Sequence, residues 1–257
     1  MRKDLAEIAI NFDTDKKLSQ SYIQNFERHF GPLRHTPIKV LELGVLRGGS
    51  LLMWHEYFPN GVIVGLDINP GLADNIPERV HVYQGSQDDR TLLDRIAQEC
   101  APDGFDVVID DASHVGILSR DSYRNLYTKH LKSGGIYVIE DWGTGYWDSW
   151  QDGRSYQVSP GNHEDVSNQA ISILGLITGG LARIKNMLIP NRRADSTIDL
   201  NFTAHNFGMV GFVKELIDEV AWPDISFPGR GNNRLLPRQS TIREMSVYCG
   251  HVFIVKA

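Results

Sequence analysis

Cysteine is almost missing from this 257-residue chain: Cys100 and Cys249 are the only two. Two isolated cysteines support neither a disulfide framework nor a structural zinc site, and they suit a reducing cytoplasm. No stretch approaches the roughly 20 apolar residues of a membrane-spanning helix. The first residues, M-R-K-D-L-A-E-I-A-I-N-F-D, mix charge with apolar side chains and lack the apolar run of a secretory signal. Positive charge is in deficit as well. The formal charge is −6 and the pI near 5.8, which argues against a general nucleic-acid or anionic-membrane surface. Repeats and low-complexity tracts are absent.

The remaining composition, 41% hydrophobic and 23% charged, is that of a globular protein large enough to bury a full core. One α/β domain over residues 1–257 is expected. Residues 1–37 would form an N-terminal helical lid, and residues 142–240 a substrate-side insertion with helices. The chain opens on a short helix (Leu5, Ile8, Phe12). A second follows from Ser21 to Phe30, where Tyr22, Phe26 and Phe30 fall at helical spacing.

The organising stretch is I-K-V-L-E-L-G-V-L-R-G-G-S-L-L-M-W, from Ile38 to Trp54. Val40 to Leu43 reads as a buried strand, Gly44 ends it, and Ser50 is placed to cap the next helix. A dinucleotide site wants G-x-G-x-x-G, whose middle glycine lets a pyrophosphate lie on the backbone. Leu46 stands at that position. Glu42, just before the turn, would repel a pyrophosphate and could hold an ammonium group. Both features favour S-adenosylmethionine over NAD.

Further strands are expected at Val62 to Leu66, Val80 to Tyr83, Phe105 to Ile109 and Ile136 to Ile139, with a closing hairpin of Met245 to Tyr248 and His251 to Val255. Asp67 ends the second strand, where an acid grips ribose hydroxyls in this fold class. Small polar residues at Gln84, Gly85 and Ser86 suit an adenine edge, and Asp88 is placed to cap the following helix. Helices are expected from Ser119 to Leu131, over Glu164 to Met187 and over Phe207 to Ala221. The loop with Tyr146, Trp147 and Trp150 is too aromatic for an inert linker.

Ligands bind at the carboxyl ends of parallel strands. The fourth strand delivers Asp110, Asp111 and His114 there, and the fifth delivers Glu140 and Asp141. So many carboxylates repel one another unless a cation lies between them, and hard oxygen ligands select Mg²⁺ or Mn²⁺ over zinc. Asp111, Glu140 and Asp141 are the expected ligands. His114 is the expected catalytic base, working with Asp111. Asp110 is either a fourth ligand or a cofactor contact.

These stretches, with I-D-D-A-S-H and Y-V-I-E-D-W-G-T-G-Y-W, resemble class I S-adenosylmethionine-dependent, metal-dependent sugar O-methyltransferases. That family includes macrolide-sugar, rhamnosyl and methylmannose enzymes and cephalosporin hydroxylase-like proteins. T-D-K, from Thr14 to Lys16, and Tyr22 are similar to its N-terminal motif. The resemblance implies a Rossmann-like, mostly parallel sheet of about seven strands in the order 3-2-1-4-5-7-6, with helices on both faces. It also implies cofactor contacts at Lys16, Tyr22, Glu42, Gly44, Ser50, Asp67, Gln84, Gly85, Ser86 and Asp110. Methyl transfer to a sugar hydroxyl of a glycoside, oligosaccharide or glycosylated natural product is the implied activity. A catechol or small-phenol O-methyltransferase is the near alternative, and an NAD-dependent oxidoreductase the remote one. No nucleic-acid or membrane partner is expected, and a homo-oligomer is left open.

Overall fold

The structure is a computed structural model and describes residues 3–71, 76–156, 204–229, 231 and 234–257. The chain divides into two compact units, Met1–Tyr156 with His205–Ala257, and Gln157–Ala204; the fold below is that of the first. The expected helix over Glu164 to Met187 lies outside the described residues.

Helices α1 (Leu5–Ala9) and α2 (Gln20–Phe30) lead into β1 (Lys39–Leu43), α3 (Gly49–Tyr57), β2 (Val62–Asp67) and β3 (Val80–Gln84). Then come α4 (Arg90–Cys100), β4 (Phe105–Asp110), α5 (Gly116–Asn125), β5 (Leu131–Glu140) and α6 (Gln151–Ser155). Helix α7 (Gly208–Ile225) and the strands β6 (Ile242–Val247) and β7 (His251–Lys256) close the fold. The seven strands run in the order β3-β2-β1-β4-β5-β7-β6. Strands β1 to β5 pair in parallel, and β7 is antiparallel to both β5 and β6. This is the order and mixed pairing of class I methyltransferases, as expected.

Both faces of the sheet are covered, so its central strands are apolar throughout. Side chains alternate between the faces with period two. Leu41, Leu43, Val108, Tyr137 and Ile139 join one core with α4, α5 and α7. Val40, Val107, Ile109, Val138 and Phe253 join the other with α1, α2 and α3. Helix α2 belongs to that second core. Phe26 and Phe30 are fully buried, with ring centroids 5.0 and 5.6 Å from Trp54.

Several local expectations shift. Asp89, not Asp88, caps α4 by accepting from the Leu92 amide, while Asp88 accepts from the Ser86 hydroxyl. Ser50 does not cap α3; Gly48, in the left-handed region, precedes that helix, and the Ser50 hydroxyl turns back to Glu42. The helix expected from Ser119 starts earlier, at Gly116, and ends at Asn125. A wide helical turn, Leu126–His130, follows it, and β5 begins at Leu131, five residues before the expected Ile136. Among the described residues no helix is long and apolar enough to cross a membrane.

Candidate active site

The carboxyl ends of β1, β2, β4 and β5 surround a cavity of about 770 Å³. Its floor is the glycine turn after β1. Gly44 has φ +84°, and a Cβ there would lie 2.2 Å from the Asp111 carbonyl oxygen. Only glycine lets the turn lie on the end of β4. The Asp67 carboxylate fixes the rest of the turn, accepting from the amides of Val45 (2.8 Å), Leu46 (2.9 Å) and Asn69 (2.8 Å).

Backbone strain gathers around this cavity. Among the described residues, the non-glycine residues with positive φ are Leu46 (+48°), His114 (+52°) and Asp141 (+51°), and all three line it. Such conformations cost about 1–3 kcal/mol each and persist where surrounding structure imposes them. Leu46 thus holds a left-handed backbone that its side chain disfavours.

A buried charge cluster runs from Lys16 and Asp111 in the cavity wall to Glu42 and Glu140 behind it. The Lys16 ammonium sits 2.6 Å from Asp111 Oδ2, 2.9 Å from Glu140 Oε1 and 3.4 Å from Glu42 Oε1. Its side chain is 1% exposed. Burial works against a charged lysine, but the three carboxylates outweigh it and hold Lys16 protonated far above its ordinary range. Burial pushes Glu140 up, yet Lys16 and His251 overcome this and hold it at about 2. Asp111 is raised well above the ordinary carboxylate range by burial and by the Glu140 charge, and Glu42 is raised by burial first. The ammonium that Glu42 holds is thus the chain's own, and Glu42 does not line the cavity.

Asp141 is clamped from both ends of the chain. Its amide donates to the Gly250 carbonyl at 2.6 Å, and its carboxylate accepts a short hydrogen bond from the Tyr22 hydroxyl. Burial and that bond push the Tyr22 phenol up, so it stays a donor. A Cβ at Gly250 would lie 1.9 Å from the Tyr22 hydroxyl. Across the sheet, Glu140 pairs in register with His251, whose Nε2 is 3.5 Å from Glu140 Oε2.

The cavity face is built differently. His114 Nε2 lies 3.8 Å from Asp111 Oδ1 and 3.9 Å from Asp141 Oδ2. These three residues each offer one ligand atom within 4.8 Å of one another, and so do Glu42, Asp111 and Glu140. Asp111 belongs to both groups. The second group already carries the Lys16 ammonium. The first opens to the cavity, and its hard carboxylate oxygens suit Mg²⁺ or Mn²⁺.

The wall of the cavity includes Lys16, Gly44, Ser50, Asp67, Gly85, Ser86, Asp111, His114 and Asp141, as expected of a shared site. Tyr22, Glu42, Gln84, Asp110 and Glu140 do not line it. Tyr22 and Glu140 stand behind it as partners of Asp141 and Lys16. Gln84 instead donates to the Ile68 carbonyl. Asp110 points to the opposite face of the sheet from Asp111, because successive strand residues alternate. There it accepts from Gln87 (3.1 Å) and Tyr137 (3.3 Å), and burial pushes its pKa up to about 6.

Three contributors escaped the sequence reading. Gln87 lines the cavity and donates to Asp110. His251 looked like an ordinary strand residue, and only the register of β7 on β5 puts it beside Glu140. Asp152, fixed in α6, accepts from the Gly116 and Met209 amides, both at 2.8 Å, and so joins the starts of α5 and α7. That junction holds the aromatic loop so that Trp150 meets the His114 ring edge-on, centroids 5.1 Å apart. Trp150 lines the cavity; Trp147 does not.

No family model matches the chain. It is 34% identical over 226 residues to mycinamicin VI 2''-O-methyltransferase of Micromonospora griseorubida, covering 83% of this chain and 53% of that enzyme. It is 44% identical over 153 residues to 8-demethyl-8-(2-methoxy-alpha-L-rhamnosyl)-tetracenomycin-C 3'-O-methyltransferase of Streptomyces olivaceus, covering 56% of this chain and 38% of that enzyme. The MycE methyltransferase from the mycinamycin biosynthetic pathway, solved in complex with Mg, SAH and mycinamycin VI, has a TM-score of 0.64. Its identity is 28%, over 99% of this chain and 54% of that one. The chain spans about half the length of these relatives, or less.

Proposed function

We propose, for a chain whose homologues are sugar O-methyltransferases of macrolide and tetracenomycin pathways, that it transfers a methyl group from S-adenosylmethionine to a sugar hydroxyl of a glycosylated small molecule. The observation that carries this reading is the placement of His114. Its Nε2 faces the cavity between the Asp111 and Asp141 carboxylates, in the same cavity that Asp67 and the Gly44 turn line.

The residues fit the cofactor. A carboxylate has about four acceptor positions. Asp67 uses three on backbone amides and keeps capacity for a ribose hydroxyl. Gly44, Gly85 and Ser86 supply a close backbone approach and a small polar edge. When bound, S-adenosylmethionine supplies an electrophilic methyl group. Asp111 and Asp141, on the cavity face, would hold the divalent ion, which would supply positive charge beside the acceptor hydroxyl, while the expected third ligand Glu140 stands behind them on the Lys16 ammonium.

An aliphatic alcohol is almost undissociated at neutral pH, so the step needs a base. His114 takes the hydroxyl proton at Nε2, which faces the cavity between the Asp111 and Asp141 carboxylates. The left-handed backbone at His114 and the edge of Trp150 fix the ring's direction. Trp150 offers an apolar surface for the C–H face of a sugar. With its two cysteines unpaired, the chain suits a reducing cytoplasm. Calorimetry tests the cofactor assignment. S-adenosylhomocysteine should bind, NAD should not, and Asp67→Ala should weaken binding by about 1–3 kcal/mol, the worth of hydrogen bonds to a charged group. Equal affinity in the variant would remove Asp67 from the site.

A further inference from the structure

Lys16 has one ammonium and three carboxylate neighbours, Glu42, Asp111 and Glu140. It is carried by the short turn Asp15–Leu18, which Thr14 fixes by accepting the Lys16 amide through its hydroxyl oxygen at 3.3 Å. Asp111 divides its carboxylate: Oδ2 accepts from Lys16, while Oδ1 faces His114. Any cation on the cavity side of Asp111 therefore shares a carboxylate with the ammonium.

We infer that Lys16 is a resident counter-cation of this site, offsetting the buried acids when no metal is present and opposing the divalent ion when one binds. The second half of the inference rests on the metal reading given above. The argument is electrostatic. A buried carboxylate without a positive partner is strongly destabilising. Glu42 is wholly buried and has no other cation within ion-pair distance among the described residues. With Lys16 present, the acids are partly balanced before any metal arrives. Like charges a few ångströms apart in a poorly solvated site repel strongly. The ammonium must then reduce divalent affinity, which makes metal binding reversible rather than permanent. A lysine that merely filled space would have neither effect.

The test uses the full chain as wild type, Lys16→Met and Lys16→Met/Glu42→Gln. Melting is followed in EDTA, and Mn²⁺ binding by the loss of the free-ion EPR signal. In EDTA, Lys16→Met should melt on the order of 5–10 °C below wild type. The double variant should recover most of that loss, because it removes a negative charge together with the positive one. Mn²⁺ should bind Lys16→Met about tenfold or more tighter than wild type, with the double variant between them. Should Lys16→Met not fold, the double variant carries both readouts. Unchanged or weaker Mn²⁺ affinity, or equal melting of the single and double variants, would overturn the inference. If wild type binds no Mn²⁺, the metal reading fails and takes the competition half with it. The EDTA melts then still decide the counter-charge half.

Discussion

Asp110 and Asp111 are neighbours in sequence and opposites in environment. Asp111 faces the α1–α3 side of the sheet, where Lys16, His251 and Tyr22 surround the acids with donors and positive charge. Asp110 faces the α4–α5 side, where its partners are the neutral side chains of Gln87 and Tyr137. The acids of the charged face are not alike: Lys16 and His251 hold Glu140 at about 2, while burial and the Glu140 charge raise Asp111 well above the ordinary range, and burial raises Asp110 to about 6. One face is a charged, clamped cluster behind an open cavity. The other is a neutral hydrogen-bond network that ties the end of β4 to α5, since Gln87 also donates to Ser122. A one-residue step along a strand decides which acid lines the cavity and which one joins the buried network.

The largest way to break the charged face is at Asp141. Asp141→Asn should abolish most turnover while the fold and S-adenosylhomocysteine binding persist, because the residues proposed to hold the cofactor, Gly44, Asp67, Gly85 and Ser86, follow or end β1 to β3. Circular dichroism, calorimetry and a turnover assay on one preparation check this; retained turnover would take Asp141 out of the metal set. Next comes His114→Ala, expected to slow turnover by roughly 10²–10⁴-fold with little change in cofactor affinity, the usual worth of a general base. Near-normal turnover would move the base to a carboxylate.

Asp110→Asn sharpens the comparison from the neutral side. A carboxyl whose folded pKa lies above its ordinary value favours the folded state when protonated. The wild type should therefore lose stability through this group as pH rises from about 4 to about 6. Asparagine removes that loss, so Asp110→Asn should be more stable than wild type above pH 6, by about 1–3 kcal/mol in denaturant melts. A variant that loses stability at pH 8 would show that the charged form is needed. The smallest effect belongs to the rim. Trp150→Ala should raise the acceptor KM several-fold while leaving the cofactor KM unchanged, and Trp147→Ala should do much less, because only Trp150 lines the cavity. Equal effects of the two would assign the loop a purely structural role.

Much of this was legible in the chain. The strands followed from apolar runs broken by G-x-x-x-G-G, Asp67, I-D-D-A-S-H and E-D-W, since each motif marks a strand's carboxyl end; their order came from the family resemblance. His114, Asp111, Asp141, Asp67, Gly85 and Ser86 all fell on the cavity as read. What stayed hidden depends on alternation and on long-range closure. Nothing local says that Asp110 and Asp111 part company. The Lys16 ammonium crosses 95 residues to Asp111, and the Tyr22 hydroxyl crosses 119 to Asp141. The cation found among the crowded acids is a lysine from the N-terminal turn, a role that nothing local in the sequence pointed to. Asp152 was equally invisible, because its role is to accept two amides from helices distant in sequence.

The proposed activity is methyl transfer to a glycoside hydroxyl with a divalent ion at the Asp111–Asp141 face. The direct measurement is transfer of labelled methyl from S-adenosylmethionine to a panel of glycosylated macrolides and rhamnosylated aromatic polyketides, run with Mg²⁺ and in excess EDTA. Label is expected on a sugar oxygen of at least one acceptor, lost in EDTA and regained with Mg²⁺ or Mn²⁺. Full transfer in EDTA, or label on the aglycone instead of the sugar, would contradict it.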